Sequence, residues 1–255
     1  MSERPSGTRD WDAATYDRVA APQERWALET LERLHLSGDE TVLDAGCGSG
    51  RVTRHLIDRL PQGRVLAVDG SPAMVRQVRE VLRAQDEAIV SDLLELEVAE
   101  RVDAVFSTAT FHWIADHERL FAMIRSWLRP GGELVAQCGG QGNVQSIIEV
   151  IRRVNEEEPF REHLGGTPDP WRFYSPDETA ARLRDAGFVE VECWLSPKTE
   201  RPDDPRAFAE SVCLGAELEQ LPGGLHEAYV ERVLELCGEP LTLHYVRLNI
   251  EATAG

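Results

Sequence analysis

From Thr41 onward, short apolar runs alternate with stretches whose apolar residues recur every three or four positions. The runs at 41–45, 64–68, 88–90, 104–107 and 133–138 predict strands. Between them Val52, Leu56, Ile57 and Leu60 fall on one helical face, as do Val75, Val78 and Leu82. The helix ends are also marked. Ser71 is a cap with Pro72 at the first helical position, and Asp116 caps "HERLFAMIRSWL", which stops at "RPGG" and a tight turn. Strand alternating with helix at this spacing predicts an α/β fold, a doubly wound and mostly parallel sheet with helices on both faces.

Two segments break the alternation. Residues 11–36 read as an amphipathic helical stretch carrying Trp11, Tyr16 and Trp26. Residues 143–158 read as a helix, and the Gly-, Pro- and aromatic-rich "PFREHLGGTPDPWRFYSP" that follows reads as a lid, with Trp171, Phe173 and Tyr174 as its aromatics. Next come a helix closed by Gly187, a strand at 189–195, helices near 205–215 and 225–237, and a last strand "LTLHYVRLNIEA". The chain is expected to be a single domain over 1–255. Its parts are an N-terminal helical segment (1–36), a cofactor-binding core (37–142), a lid or small helical cap (143–175) and a C-terminal part (176–255) completing the sheet.

The loop after the first strand, in "VLDAGCGSGRV", carries the chemistry. In an open α/β sheet, ligands sit beyond the carboxyl ends of the strands where strand order reverses. A dinucleotide fold needs G-x-G-x-x-G, but here Gly46, Gly48 and Gly50 form G-x-G-x-G, and Arg51 stands where the third glycine would be. No phosphate-cradling G-x-x-x-x-G-K-[ST] is present either. Asp44 beside the loop would repel a pyrophosphate but suits a ligand carrying an ammonium group. Asp69, ending "VLAVDGS", is placed to take both hydroxyls of a ribose, each charged hydrogen bond being worth ~1.5–3 kcal/mol. Acid, tight loop and second acid together suit S-adenosylmethionine.

With these residues in view, the chain resembles the class I S-adenosylmethionine-dependent methyltransferases. "DAGCGSG" resembles their first motif, "VSDLLEL" their third-strand motif and "LRPGGELV" the turn before their fifth strand; the likeness spans about 31–195. It implies a seven-stranded Rossmann-like sheet with an antiparallel last strand, which "LTLHYVRLNIEA" would supply. It also implies S-adenosyl-L-methionine as cofactor, held by Asp44, Gly46, Cys47, Gly48 and Gly50, by Asp69, Gly70, Ser71 and Met74, and by Ser91, Asp92 and Leu93 around the adenine. Thr108 and Ala109 would meet the methionine end, where the family often has Asn-Ala. Within the family, "TFHWIADH" and "WDAATYDRVAAPQERW" resemble a subgroup that includes trans-aconitate methyltransferases and insect juvenile hormone acid methyltransferases. That likeness places Tyr16, Gln23, His112 and Trp113 around the sulfonium and the acceptor.

Charge and cysteine usage then narrow the partners. A net charge of −18, from 45 acids against 27 bases, repels nucleic acid and anionic membranes at long range. No apolar run reaches the ~18 residues of a membrane span. Five scattered cysteines, with no C-x-x-C, argue against a disulfide framework or a metal site and for a reduced cytoplasmic protein. Cys47 is read as a small turn residue and not a nucleophile.

The expected activity is methylation of a small-molecule acceptor, foremost a carboxylic acid to its methyl ester, by a monomer or homodimer. A carboxylate needs no base; a phenol or carbon acid would recruit His112. A C- or O-methyltransferase of a quinone or natural-product pathway, or a catalytically silent cofactor-binding protein, fits the same motifs. Pocket polarity has two readings: Arg51, Arg161 and Arg172 holding a polycarboxylate, or Trp and Phe holding an isoprenoid or fatty acid.

Overall fold

The computed structural model describes residues 21–255, with side chains from Glu24 onward. Seven strands form one sheet: β1 (Thr41–Ala45), β2 (Arg64–Asp69), β3 (Glu87–Val90), β4 (Val102–Thr108), β5 (Leu128–Gly139), β6 (Phe188–Glu200) and β7 (Leu243–Ala254). Their order is β3-β2-β1-β4-β5-β7-β6, and β7 runs antiparallel to both β5 and β6. The described helices are α1 (Ala21–Leu31), α2 (Thr53–Asp58), α3 (Pro72–Val78), α4 (His117–Trp127), α5 (Gln145–Asn155), α6 (Arg161–Leu164), α7 (Pro176–Asp185), α8 (Pro205–Phe208), α9 (Gly215–Gln220) and α10 (His226–Cys237).

The central strands are continuous apolar runs because both sheet faces are covered. Val42, Val65, Ala67 and Phe106 pack with Leu31, Leu34, Leu56 and Ile57 on one face. Leu43, Leu66 and Val105 pack with Leu120, Phe121, Ile124 and Leu183 on the other. A third apolar core joins Ile147, Ile151 and Val154 of α5 to Phe160, Phe208, Leu214, Tyr229 and Val233, and takes in Trp26 of α1 and Tyr245 of β7. Helices from 205–237 therefore pack with the insertion after β5.

Local boundaries differ from the sequence pattern where backbone pairing outweighs side-chain content. β5 starts at Leu128, which pairs with Val102, and the ladder resumes only at Glu133 opposite Ala104. The expected "RPGG" turn, with Gly131 at φ +78°, is thus a break inside a strand. β6 runs on to Glu200 because β7 pairs along its whole length. The helix expected over 205–215 is divided, α8 passing into a π turn at Ala209–Cys213 before α9. β2 and β3 lie on one side of β1 and β4 on the other, so the loops after β1 and β4 diverge and leave a crevice at their carboxyl ends.

Candidate active site

A cavity of about 630 Å³ occupies that crevice, within the range usual for small-molecule sites. Its floor is the loop after β1. The amides of Gly46 and Cys47 both donate to the Val68 carbonyl (2.8 and 2.9 Å), tying the loop to β2. Gly46, Gly48 and Gly50 all have positive φ, of +83°, +56° and +89°, which makes glycine the natural residue at each. Their surroundings differ. A Cβ on Gly46 would lie 2.1 Å from Thr110 Oγ1, and one on Gly50 2.8 Å from Val78 Cγ2, whereas one on Gly48 would meet nothing within 4 Å. Gly48 is the open edge of the cradle. Gly50 packs against protein and does not line the cavity.

Asp69 lines the cavity from the end of β2 and is locked by two main-chain donors: Gly48 N–H to Oδ2 at 2.9 Å and Ser71 N–H to Oδ1 at 2.8 Å. Burial raises its carboxyl above the usual range, and those two amides pull it back down. Asp44 sits elsewhere. It is 3% exposed, is not among the lining residues, and accepts a 2.7 Å hydrogen bond from Thr53 Oγ1 beneath the loop. The β1 pleat thus turns the Asp44 side chain toward Thr53 at the start of α2. Burial pushes its carboxyl up to about 7, with the Thr53 hydroxyl opposing and Asp69 adding to the rise.

The remaining residues expected at a cofactor lie together. Gly70, Ser71, Met74, Ser91, Asp92 and Leu93 line the cavity, as do Cys47, Thr108 and Ala109. Ser71 Oγ accepts from Met74 N–H (3.3 Å) and caps α3. Asp92 Oδ1 accepts from Leu94 N–H (2.8 Å), holding the turn after β3. Ala109 is left-handed (φ +56°), its amide donating to Gln137 O (2.8 Å). Burial, then Asp44 and Asp69, push the Cys47 thiol well up, so it stays protonated.

His112 and Trp113 come from a short 3-10 turn, Phe111–Trp113, and both line the cavity. Nδ1 of His112 accepts from the Gly139 amide (3.3 Å), so the neutral ring carries its hydrogen on Nε2. Burial, with Arg247 and His117 adding to it, holds His112 well below its ordinary value. Residues 171–173 border this end. Arg172 N–H donates to His112 O (2.8 Å), and Trp171 and Phe173 stack nearly parallel (10°) with Trp171 also 5.8 Å from Trp113. Tyr174 instead turns outward to His117 and Arg182. Trp11 and Tyr16 lie outside the described residues, as does the side chain of Gln23.

Several lining residues were not singled out from the sequence. Val144, Ile147 and Ile151 of the insertion, Val212 and Cys213 of the π turn, and Tyr245 and Arg247 of β7 all face the cavity. Val144 is left-handed at φ +45°, an uncommon conformation for a β-branched residue and one that clusters at functional sites. Arg247 is 5% exposed, donates from Nε to Gln137 Oε1 (3.4 Å) and lies over the Trp26 ring at 5.5 Å. Its signal was present: Arg247 shares a phase with Leu243, Tyr245 and Asn249, so it is a charged residue on the buried face of an interior strand. Among the arginines considered for an acidic ligand, Arg51 lines the cavity but pairs with Glu24 (3.6 Å). Arg161 pairs with Glu156 (3.6 Å) and Arg172 is exposed, and neither reaches the cavity. Among the described residues no cluster of three or more His, Cys, Asp or Glu could hold a metal ion, and no helix is long and apolar enough to cross a membrane.

Comparison with known proteins agrees with this geometry. Residues 42–132 match a family model described as a methyltransferase domain. The trans-aconitate 2-methyltransferase of Azoarcus sp. (strain BH72) is 33% identical over 233 residues, 86% of each chain. The malonyl-[acyl-carrier protein] O-methyltransferase of Geobacter sulfurreducens is 34% identical over 205 residues, 78% of this chain and 75% of that one. Among solved structures, phosphoethanolamine N-methyltransferase 2 of Haemonchus contortus with S-adenosyl-L-methionine shares the fold at 20% identity. Its TM-score is 0.60, and the match covers 99% of this chain and 60% of that chain. Glycine-rich loop, acid at the end of β2, switch-point cavity and these relatives converge: the chain belongs to the class I S-adenosylmethionine-dependent methyltransferases, in the subgroup that holds the trans-aconitate methyltransferases.

Proposed function

We propose that this methyltransferase esterifies the carboxylate of a small-molecule acid. One observation carries the reading: Nδ1 of His112 is occupied by the Gly139 amide, so His112 offers the acceptor a donor and not a base. A carboxylic acid is ionised at neutral pH and needs no base, whereas a phenol or carbon acid does. The relatives add support, one being named for trans-aconitate and another for a malonyl group. A surface of net charge −18 disfavours nucleic acid as the acceptor.

The cradle fits S-adenosylmethionine, since Gly48 leaves open room where a Cβ would stand and the Asp69 carboxylate borders that room. In this reading Asp69 accepts from the ribose hydroxyls beside Gly70 and Ser71. Asp92, Ser91, Leu93 and Met74 hold the adenine, while Gly46, Cys47, Thr108 and Ala109 border the methionine end. Asp44 and Gly50 act one step back, through Thr53 and through α3. The chemistry supplied by the bound group is an electrophilic methyl, whose carbon–sulfur bond breaks with its electron pair going to sulfur as the acceptor oxygen forms the new carbon–oxygen bond. No proton leaves a carboxylate in this exchange. His112 and Trp113 orient the acceptor, with Tyr16 and Gln23 assigned beside them, and Trp171 and Phe173 exclude water. Holding the reacting atoms in line can lower a barrier by ~7–11 kcal/mol.

The test is transfer of radiolabelled methyl to a panel of acids (trans-aconitate, straight-chain fatty acids and isoprenoid acids), with phenols and quinones as contrast. Label released by mild base identifies a methyl ester. Stable label in a phenol or ring carbon would overturn the reading, and S-adenosylhomocysteine binding without transfer to any compound would point to a silent binding protein.

A further inference from the structure

Asn143 stands in the loop between β5 and α5, and is one of three asparagines in a chain with 45 acids. Its place is fixed from three sides. Its N–H donates to Gly140 O (2.9 Å), its Oδ1 accepts from Val246 N–H of β7 (3.0 Å), and the next amide, Val144 N–H, donates to His244 O (2.9 Å). The loop holds this position at a cost, since Val144 is left-handed at φ +45°. With Oδ1 occupied by a main-chain donor, the side-chain nitrogen Nδ2 faces the other way. Asn143 is 4% exposed and lines the cavity, yet Nδ2 donates to no described residue and is not sealed inside the protein. It lies close to the glycine that sets His112. A Cβ on Gly139 would be 2.9 Å from Nδ2, and the Gly139 amide donates to His112 Nδ1. The Phe173 ring lies beside both, 5.8 Å from the His112 ring.

We propose that Asn143 binds the methyl acceptor, its Nδ2 giving the carboxylate a second hydrogen bond beside that from His112 Nε2. This rests on the carboxylate reading above and deepens it by naming a further residue that holds the acid. Closing off the end of the β5–β7 ladder needs only an acceptor for the Val246 amide, which a hydroxyl or a carboxylate also provides. A primary amide adds two N–H donors on the cavity side, and it does so without a negative charge that would repel an anion. The arginines of the same wall have partners of their own, Arg51 at Glu24 (3.6 Å) and Arg247 at Gln137 (3.4 Å). A carboxylate offers about four lone-pair sites, so two donors fix its plane and leave a lone pair for the methyl carbon.

Asn143→Asp keeps an oxygen for the Val246 amide and replaces the donor by a carboxyl; Asn143→Ala removes both groups. Each is compared with wild type on trans-aconitate, decanoate and a sesquiterpenoid acid, using every one of these that wild type esterifies. Asn143→Asp should lower kcat/KM at least 100-fold at pH 8. The loss should be smaller at pH 6, where part of the introduced carboxyl is protonated and can donate, while the wild-type ratio between the two pH values stays near one. Asn143→Ala should lose at least tenfold at both, and S-adenosylhomocysteine affinity should stay within threefold in each variant. A second measurement uses wild-type protein alone. Labelling asparagine with nitrogen-15 gives three side-chain amide pairs, and saturating the S-adenosylhomocysteine complex with the esterified acid should move one of them, the pair missing from either variant's spectrum. Wild-type kcat/KM in both variants, equal losses of acid turnover and S-adenosylhomocysteine affinity, or three unmoved amide pairs overturns this proposal while methyl esters made by wild type leave the carboxylate reading standing. Failure of wild type to esterify any of the acids overturns both.

Discussion

The main-chain N–H of Gly139 points at Nδ1 of His112 from 3.3 Å, across the gap between β5 and the 3-10 turn after β4. That single contact commits one ring nitrogen to the scaffold and sets the tautomer of the other. It turns a histidine that the sequence leaves open between base and donor into a donor.

His112→Gln keeps an N–H to offer and an oxygen to receive the Gly139 amide, so activity on an acid acceptor should stay within about tenfold of wild type. His112→Leu removes the donor, and a loss of roughly 10²–10³ in kcat is expected, the usual cost of deleting a preorganised donor. The profile of kcat/KM against pH should be flat above about pH 6.5. A rising limb that disappears in His112→Gln would make His112 a base after all. The same burial has a stability consequence. With the folded value depressed, the unfolded chain takes up the proton first, so the contribution of neutral His112 is present above about pH 6.5 and is lost as pH falls below it.

Asp69 holds two main-chain amides and faces the cavity. With two charged hydrogen bonds to a ribose at ~1.5–3 kcal/mol each, Asp69→Ala should weaken S-adenosylhomocysteine binding roughly 100-fold or more. Titration calorimetry measures this directly. An unchanged Kd would remove Asp69 from the cofactor site.

Asp44 is a buried acid raised from its ordinary 3.8 to about 7, which corresponds to roughly 4 kcal/mol of preference for the protonated form in the fold. The folded protein therefore holds this proton while the unfolded chain releases it, and the contribution of Asp44 weakens as pH rises from about 4 to about 7. Asp44→Asn can keep the Thr53 hydrogen bond without the charge. Its Tm relative to wild type should be higher at pH 8 than at pH 5, in the absence of cofactor. Equal differences at both values would show that Asp44 is not raised.

Gly139 has no room for a side chain. An added Cβ would lie 2.5 Å from Phe173 Cε1 and 2.9 Å from Asn143 Nδ2. Gly139→Ala should cost about 1–3 kcal/mol of stability by overpacking. It should also displace Phe173 and slow methyl transfer while S-adenosylhomocysteine affinity changes less than threefold. A variant with wild-type kcat/KM would argue against any role for the Phe173 wall.

Much of the fold was legible in the chain because short-range rules decide it. The alternation of apolar runs and helical faces foretold the sheet and both its layers, and β1 occupies the residues its apolar run marks. Ser71 and Asp116 cap the helices they were expected to cap, since a cap acts within three residues. The G-x-G-x-G loop and Asp69 were likewise local, and they meet at one hydrogen bond from Gly48.

The tertiary structure decided what depends on residues far apart in the chain. Whether Asp44 faces ligand or protein depends on the pleat of β1 and on Thr53 in a later helix, which no motif records. The tautomer of His112 depends on an amide 27 residues away, delivered by the β4–β5 register. Arg247 enters the site only because β7 inserts antiparallel between β5 and β6, laying the start of the last strand at the carboxyl end of the sheet. Sequence patterning reports which face of an element is buried; which buried faces meet is set by the order of the strands.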